Sequence, residues 1–430
     1  MKKSISGIRG IFGDDLKLTD ILEFCRNFAP VIRSKKCVVG NDTRPSNGMI
    51  SNVVIAALIE QGIDVYNLGM VPTPVVFREA RKYGAGLIIT SSHNPLEWNG
   101  LKFIINGRGP NEKEFAYILQ KKHSKITEFG TELKIASNYV DDASKVIGKI
   151  KQTPKIVIDV GGGAASLVAP QLLQKLGCQV HVINQNSTKR GPDPTVDKLT
   201  HLASDSKKYD IGFAFDLDGD RLVVVKDGKK QSPDTTLALG TIKALDLGYK
   251  KFCLSIDTSI AVEKYIKEHG GIVIRSKVGE ANVIDMMLKK KCQAGGEGSS
   301  GGFILPKFNM CRDGILTSGL IAAMTGKKIV DDVIKFVSKY SQLRTKVDVE
   351  SYLHDKTLSK LEQKLKGRFS DIITIDGVKT IIDEDTWALV RKSNTEDIIR
   401  ISVESNERHK AQQIQKEITN LVKQSYEQIR

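Results

Sequence analysis

The sequence lacks any apolar run long enough to cross a membrane. Stretches such as residues 53–59 are short, whereas a membrane-spanning helix needs about 20 apolar residues. The first nine residues contain lysines but no hydrophobic segment behind them, which is not the pattern of a secretion signal. We therefore expect a cytoplasmic protein with no membrane partner.

Cysteine is scarce and has no motif spacing. The six cysteines are spread along the chain and contain no C-x-x-C pair: Cys25, Cys37, Cys178, Cys253, Cys292 and Cys311. This pattern argues against a zinc site and against a disulfide framework. We expect reduced, mostly buried thiols, as in cytoplasmic proteins.

Basic residues exceed acidic ones, with a formal net charge of +15, yet they form no nucleic-acid signature. The longest basic run is Lys289–Lys291, and no stretch interleaves aromatic and basic residues as RNA-binding strands do. A positive field suits an anionic small molecule such as a phosphosugar equally well. Ordinary surface composition explains the excess without any ligand. We expect no nucleic-acid partner.

The 430 residues are enough for three or four domains. Strand and helix patterns alternate three times, and this order predicts three α/β units with mixed, mostly parallel sheets. In the second unit, a helix is expected over residues 164–176. The last part contains strands around a hairpin and a charged helix over residues 408–428, which indicates an α+β unit. We place the domains at residues 1–138, 139–244, 245–341 and 342–430.

A polar loop follows the apolar strand at residues 86–89. It contains Ser92 and His93, with Lys102 ten residues beyond the serine. Ligands of open α/β sheets bind at the carboxyl ends of strands, where this loop is expected. A polar turn that caps a helix is the simpler alternative for such a short motif.

An acidic loop lies between two apolar strands and places Asp216, Asp218 and Asp220 at alternate positions, followed by Arg221. Three hard oxygen donors suit Mg²⁺. A calcium EF-hand would need glycine at the sixth position, where Arg221 stands, and helices instead of strands. A solvated acidic turn is the remaining structural alternative. We expect this loop to be accessible to solvent.

Two further loops carry candidate binding groups. Residues 295–302 are rich in glycine and contain Glu297 and Ser299, which could bond sugar hydroxyls; a flexible linker is the alternative. Near the end of the chain, cationic and hydroxyl donors share one turn and suit phosphate oxygens. These residues are Arg391, Ser393, Asn394, Thr395 and Arg400. An ordinary surface turn is the alternative.

Taken together, these motifs resemble the α-D-phosphohexomutases. The serine loop is similar to T-A-S-H-N-P…N-G-x-K-F, residues 6–10 match S-G-I-R-G, and the acidic loop is similar to D-x-D-G-D-R. The glycine-rich loop is closest to the archaeal-type G-G-E-G-N-G-G form of G-E-x-S-G-H, without the histidine and with one residue inserted near Ser299. The last loop resembles R-P-S-G/N-T-E-P, with Lys392 and Asp397 in place of the prolines.

The resemblance implies roles for these residues around a central cleft. Ser92 is the phosphoserine carrier and also a ligand of one Mg²⁺ together with the three aspartates. Arg9 and Lys102 contact the phosphoserine or assist proton transfer, and His93 either orients the loop or transfers a proton. The implied substrate-binding residues are Glu297, Ser299, Arg221, Arg391, Ser393, Asn394, Thr395 and Arg400.

The implied reaction interconverts hexose 6-phosphate and hexose 1-phosphate, with hexose 1,6-bisphosphate as intermediate and activator. The archaeal-type loop favours glucosamine phosphate over mannose or glucose phosphate, which remain the alternatives. A more distant alternative is a haloacid-dehalogenase-like phosphatase, which also has a strand followed by D-x-D. There, Asp216 would be the nucleophile, but the serine loop would have no explanation. The oligomeric state does not follow from the sequence.

Overall fold

Four β-sheets follow one another along the chain in the computed structural model, which describes residues 1–121, 128–186, 190–393 and 396–430. Three sheets combine parallel and antiparallel strands and are flanked by helices, and the fourth is entirely antiparallel. The predicted fold class, three α/β units followed by an α+β unit, is confirmed.

The first unit has a sheet in the order β1-β2-β6-β5-β3-β4-β7, parallel between β5, β3, β4 and β7 and antiparallel elsewhere. Its strands are β1 (Lys2–Ser4), β2 (Gly7–Ile11), β3 (Lys36–Asn41), β4 (Asp64–Met70), β5 (Ala85–Ile89), β6 (Trp98–Ile105) and β7 (Glu132–Lys134). Its helices are α1 (Leu18–Phe28), α2 (Asn47–Glu60), α3 (Thr73–Tyr83) and α4 (Glu112–Ile118).

The second unit has a sheet in the order β12-β11-β10-β8-β9, with a parallel centre and antiparallel β11 and β12. Its strands are β8 (Lys155–Asp159), β9 (Gln179–Ile183), β10 (Ile211–Phe215), β11 (Leu222–Lys226) and β12 (Lys229–Lys230). Its helices are α5 (Tyr139–Ile147), α6 (Ala169–Lys175) and α7 (Thr200–Ser206).

One helix prediction in this unit is wrong. Instead of one helix over residues 164–176, a short 3-10 helix, Ala164–Leu167, precedes α6. Pro170 lies in the first turn of α6, where it has no N–H to bond backwards. It therefore begins a new helix and does not continue the preceding one.

The third unit has a four-stranded sheet in the order β14-β13-β15-β16, with only β16 antiparallel. Its strands are β13 (Lys251–Ser255), β14 (Ile272–Ser276), β15 (Ala294–Glu297) and β16 (Gly302–Ile304). Around it lie α8 (Pro233–Asp246), α9 (Ile260–Glu268), α10 (Glu280–Lys290), α11 (Gly314–Ala322) and α12 (Lys328–Val337).

The fourth unit is an antiparallel sheet in the order β17-β21-β20-β19-β18, packed against two helices. Its strands are β17 (Ser341–Asp348), β18 (Asp371–Ile373), β19 (Val378–Asp383), β20 (Thr386–Lys392) and β21 (Ile398–Ser405). The helices are α13 (His354–Lys366) and α14 (Arg408–Glu427), the second within one residue of its predicted end.

The hydrophobic cores explain how the units are joined. The first and fourth units each have a core of their own, whereas one continuous apolar cluster spans the second and third, where α11 packs on α5 and α6. Ile256 of the third unit meets Trp387 and Leu389 of the fourth in a small cluster. All six cysteines are buried and free, as predicted.

The four predicted functional loops occupy equivalent places. In the first three units each loop joins a parallel strand to an antiparallel neighbour: β5 to β6, β10 to β11, and β15 to β16. The fourth loop joins β20 to β21. The same β-loop-β arrangement thus presents each loop at a carboxyl strand end, where ligands bind in α/β sheets.

Candidate active site

The serine loop is held in an unusual backbone conformation. Ser92 has a φ of +52°, which only a few per cent of non-glycine residues adopt, and its side chain is fully buried. The Ser92 backbone N–H donates to Thr90 Oγ1 at 2.8 Å, and its hydroxyl donates to Asp216 Oδ2 at 3.3 Å. The loop therefore points its hydroxyl at the acidic loop of the second unit.

Arg44, which the sequence analysis did not select, holds the serine loop from behind. Its guanidinium donates to the carbonyl oxygens of Ser92 (2.6 Å), Asn94 (2.8 Å) and Trp98 (2.7 Å), and also to that of Pro95. A fifth bond goes to the buried Asp42 carboxylate at 3.1 Å. The strand order could have indicated this contact, because β3 pairs in parallel with β5 and the turn after β3, which contains Arg44, lies beside the carboxyl end of β5.

The acidic loop brings its three carboxylates together. Asp216, Asp218 and Asp220 each offer an oxygen atom within 4.8 Å of the others. One oxygen of Asp218 and one of Asp220, both Oδ1, are buried and have no hydrogen-bond partner among the described residues. Buried carboxylate oxygens without partners are costly. Their convergence fits a hard divalent cation such as Mg²⁺.

The expectation that this loop is solvent-accessible is wrong, because all three aspartates are fully buried. Asp218 Oδ2 accepts bonds from Thr73 Oγ1 at 2.6 Å and Lys102 Nζ at 2.7 Å, both from the first unit. Asp220 Oδ2 accepts from Lys102 at 3.2 Å and from Arg312 of the third unit at 2.8 Å. Neighbouring units, which sequence spacing does not reveal, cover the loop.

The Gly161–Gly163 turn supports the acidic loop and forms no separate site. A Cβ atom at Gly163 would lie 2.7 Å from the carbonyl oxygen of Leu217, so only glycine allows this approach. The next residue, Ala164, donates its N–H to the same carbonyl at 2.8 Å.

Burial and neighbouring charges shift the pKa values of these carboxylates in opposite directions. Burial would raise the pKa of Asp220, but the charges of Arg312 and Lys102 outweigh it and hold that pKa below its ordinary value. Burial and the charges of the other two aspartates raise the pKa of Asp216 well above its ordinary value. Burial would lower the pKa of Lys102, yet Asp218 and Asp220 raise it, so Lys102 remains a cation.

Arg9 also lies beside this cluster, on β2 opposite Gly100 of β6. Burial lowers the pKa of its guanidinium, while the charges of Asp218 and Asp220 oppose that shift. Its Nε is buried without a partner among the described residues. A guanidinium with a spare donor beside carboxylates is suited to bind a phosphoryl oxygen.

His93 is held as a neutral ring between Ser92 and Arg221. Its Nε2 lies 3.4 Å from Arg221 Nη2, and its Nδ1 lies 3.4 Å from Ser92 Oγ. Burial and the charge of Arg221 lower the pKa of His93 to about 2. Because the guanidinium can only donate, Nε2 must accept, which leaves the proton on Nδ1 facing the serine. This arrangement favours orientation of the hydroxyl over removal of its proton.

The glycine-rich loop buries Glu297 at the end of β15. Its carboxylate accepts from the Gly279 N–H at 2.6 Å and from Arg312 Nη1 at 3.2 Å. Ser299 is half-buried, and the neighbouring Ser300 donates its hydroxyl to the Glu297 carbonyl at 3.1 Å. Ser299 is therefore the serine of this pair whose hydroxyl is not engaged by its own loop.

The fourth unit contributes a row of cations across three adjacent strands. Lys346 of β17 is opposite Arg400 of β21, which is opposite Arg391 of β20. Arg391 pairs with Asp376 at 2.9 Å, and Arg400 pairs with Glu396 at 2.8 Å. Like charges that face each other across strands repel, so this row favours an anionic ligand. Sequence spacing did not reveal Lys346.

The rest of the predicted phosphate loop is only partly described. Ser393 is buried and its Oγ lies 3.5 Å from Arg400 Nη2. Asn394 and Thr395 lie outside the described residues. Arg391 stands in β20 and Arg400 in β21, not in one turn as the spacing suggested, but both line the same cavity.

A cavity of about 670 Å³ joins the second, third and fourth units. Its volume lies within the range of ordinary small-molecule sites. The predicted residues on its wall are Arg221, Glu297, Ser299, Arg391 and Arg400, and unpredicted ones include Arg312, Arg344 and Lys346. Ser92 and the aspartates are not on this wall. Arg221, which lines the cavity, lies 3.4 Å from His93, the neighbour of Ser92.

Comparison with known proteins places this architecture. Models of the "Phosphoglucomutase/phosphomannomutase" alpha/beta/alpha domains I, II and III match residues 1–129, 137–229 and 232–340. The model of the C-terminal domain matches residues 345–421. The chain belongs to the phosphoglucomutase/phosphomannomutase family. It is therefore a phosphohexomutase, an isomerase of carbohydrate metabolism, which confirms the predicted enzyme class and replaces the phosphatase alternative.

Curated relatives match over nearly the whole chain. A protein of Methanobrevibacter smithii named "Probable phosphoglucosamine mutase" is 32% identical over 445 residues and covers 98% of each chain. One with the same name from Methanothermobacter thermautotrophicus is 35% identical and covers 95% of each.

Solved structures share the fold. A phosphoglucomutase/phosphomannomutase family protein of Burkholderia thailandensis has a TM-score of 0.85 at 24% identity, covering 99% of this chain and 98% of its own. The Aspergillus fumigatus N-acetylphosphoglucosamine mutase, solved with GlcNAc-6P and magnesium, has a TM-score of 0.60 at 15% identity, covering 90% and 82%. The phosphohexomutase family is generally Mg²⁺-dependent. Among the described residues, no helix is long and apolar enough to span a bilayer.

Proposed function

We propose that this enzyme interconverts glucosamine 6-phosphate and glucosamine 1-phosphate through a phosphoserine at Ser92. Two features support this choice of sugar: the names of the curated relatives and the archaeal-type form of the loop that contains Glu297. The observation that carries the mechanism is the position of Ser92 Oγ, 3.3 Å from Asp216 in a ring of buried carboxylates and cations.

Each turnover has two phosphoryl transfers, and a different phosphoryl group moves in each. In the first transfer the bond between phosphorus and Ser92 Oγ breaks, a bond to the free sugar hydroxyl forms, and the hydroxyl proton ends on Ser92. This yields the hexose 1,6-bisphosphate. In the second transfer the bond between the other phosphorus and its sugar oxygen breaks, a bond to Ser92 Oγ forms, and the serine proton ends on the sugar oxygen, which releases the isomeric monophosphate. Such transfer depends mainly on positioning and on stabilising charge.

The surrounding cations supply part of that stabilisation. Lys102 remains protonated between Asp218 and Asp220, and Arg9 lies beside the same carboxylates. Asp216, Asp218 and Asp220 would hold one Mg²⁺, with Ser92 nearby, because two of their oxygens are buried without partners. When bound, the ion would neutralise charge that develops on the transferred phosphoryl group.

The fourth unit holds the phosphate that is not being transferred. Arg391, Arg400 and the additional Lys346 line the cavity from adjacent strands, and Ser393, Asn394 and Thr395 follow β20 in the sequence. Glu297 and Ser299 contact the sugar ring, and Arg221 lies between this cavity and His93. The bisphosphate turns over within the cavity, so that each phosphate can occupy either position. A cytoplasmic location accords with six unpaired thiols.

A coupled assay with the 1-phosphates of glucosamine, mannose and glucose tests this proposal. We expect kcat/KM to be highest for glucosamine 1-phosphate and activity to require a trace of hexose 1,6-bisphosphate. A clear preference for mannose or glucose 1-phosphate would refute the choice of sugar. Absence of turnover with all three, in enzyme that carries phosphate on Ser92, would refute the proposed substrate class.

A further inference from the structure

Arg312 links three carboxylates from separate parts of the chain. It lies between β16 and α11 and is almost fully buried. Its Nη2 donates to Asp220 at 2.8 Å, its Nη1 to Glu297 at 3.2 Å and its Nε to Glu280 at 3.2 Å. The backbone N–H of Arg312 also donates to Glu280, at 2.8 Å. One rigid guanidinium thus connects the acidic loop to the glycine-rich loop.

Gly302 provides the space through which this side chain passes. A Cβ atom at position 302 would lie 2.2 Å from Cδ and 2.6 Å from Cγ of Arg312. The backbone of Gly302 does not have a positive φ, so the arginine, and not backbone strain, requires glycine here. Gly302 ends the glycine-rich loop, which lacks the histidine of the G-E-x-S-G-H motif. The arginine thus occupies space that any side chain at position 302 would need.

The bond to Arg312 determines how Glu297 is presented. The Gly279 N–H engages Oε1 and Arg312 engages Oε2, which fixes the plane of the carboxylate. Each carboxylate oxygen has a second acceptor position, so two remain for sugar hydroxyls. Burial raises the pKa of Glu297 above its ordinary value, and the charge of Arg312 limits that rise. Without the arginine, the side chain would lose both its orientation and its charge partner.

We propose that Arg312 is the positioning residue that holds Glu297 as an oriented carboxylate for sugar recognition, in space left by Gly302. This inference rests on the proposed contact between Glu297 and the sugar. Arg312 acts through Glu297 on the choice of sugar and through Asp220 on the acidic loop. It therefore couples recognition of the ring to the place where the phosphoryl group is transferred.

A double-mutant cycle tests this role, with R312K, E297Q and the double variant assayed at saturating Mg²⁺. Lysine keeps the charge but cannot bridge three carboxylates with a planar fork. We expect R312K to lower kcat/KM for the preferred sugar about 10- to 100-fold and to change the ratio between glucosamine and glucose 1-phosphates. In the E297Q background the same substitution should cost clearly less than in the wild type and should no longer change the sugar ratio, because residues that share an interaction are not additive. The loss that remains is the part that acts through Asp220.

G302A keeps the test valid if R312K fails to fold, since the added Cβ displaces the arginine without removing its charge. We expect it to reproduce the changed sugar ratio. The matched control is G319A, a buried glycine of α11 whose Cβ would meet Ile147 Cδ1 at 2.5 Å; neither Gly319 nor Ile147 lines the cavity. It should lower the melting temperature and leave the sugar ratio unchanged.

The outcomes separate the two proposals. If E297Q leaves the sugar ratio unchanged, Glu297 does not read the ring, and the proposed recognition role is wrong. If E297Q changes that ratio but R312K and G302A do not, or if the two substitutions are additive, only the positioning role of Arg312 is overturned. Non-additive losses with a shifted sugar ratio support it.

Discussion

Replacing Arg44 by lysine tests how the serine loop is positioned. The guanidinium makes five side-chain hydrogen bonds, four to loop carbonyl oxygens and one to Asp42. A lysine ammonium has three donors on one atom, so R44K loses at least two of these bonds. A hydrogen bond with a charged partner contributes about 1.5–3 kcal/mol. The free energy of unfolding should therefore fall by about 3 kcal/mol or more.

The effect on activity should exceed what lower stability explains. A misplacement of a reacting group by about 1 Å can cost about 100-fold in rate. Ser92 receives its backbone constraint directly from Arg44, through the bond to its carbonyl oxygen. We expect kcat for R44K to fall 10- to 100-fold at a temperature where the variant is fully folded, by the same reasoning. Phosphorylation of Ser92 by hexose 1,6-bisphosphate should slow in parallel.

The assays are urea unfolding followed by circular dichroism, the coupled mutase assay and intact-mass measurement of the phosphoenzyme. The matched control is R78K, since Arg78 also bonds a carboxylate (Asp142) and a carbonyl oxygen (Phe308) but lies away from the serine loop. R78K should lose stability and keep its rate of Ser92 phosphorylation. If R44K phosphorylates Ser92 as fast as the wild type, the loop does not depend on Arg44 and the reasoning fails.

Three further results are expected. D218N should lower turnover at limiting Mg²⁺ about 100-fold or more, since it removes a hard anionic ligand. Calorimetric titration of this variant with Mg²⁺ should show weaker binding, and unchanged activity would refute the assignment of the metal site. R391A should lower kcat/KM about 10- to 100-fold for every hexose phosphate alike, and K346Q should lower it to a smaller extent. A changed sugar preference in either variant would mean that these cations contact the ring. H93Q should keep the wild-type pH profile of kcat between about pH 5 and 8, because the lowered pKa of His93 leaves the ring neutral throughout that range. Loss of a pH-dependent limb of the profile would show that His93 transfers a proton.

Local sequence patterns predicted the loops well because each loop directly follows a strand. The strands before Ser92 and Asp216 are short and apolar, and their ends were visible as polar breaks. Glu297 instead is the last residue of β15, whose Ala-Gly-Gly sequence carries no strand pattern, and it was selected from the glycine-rich loop. Since the carboxyl ends of parallel strands are where ligands bind, the candidate residues could be selected without a structure. The roles assigned to them remain predictions.

The residues that hold the loops were not predictable in this way. Arg44 contacts carbonyl groups 48 to 54 positions away, and Arg312 contacts Asp220 over 92 positions. The partners of Arg44 depend on how β3 and β5 pair within the first unit, and those of Arg312 depend on how different units are brought together. Arg312 left a trace, since it and Asp313 interrupt an otherwise apolar segment that continues into α11. Burial of the three aspartates was missed for the same reason, because the covering groups come from other units.

The account depends most on Ser92 as the phosphoryl carrier. Peptide mapping by mass spectrometry of enzyme incubated with hexose 1,6-bisphosphate tests this directly. We predict one acid-stable phosphate on Ser92 that is transferred when hexose monophosphate is added, and neither phosphate nor turnover in S92A. A hydroxylamine-sensitive acyl phosphate on Asp216, or full turnover by S92A, would contradict the account.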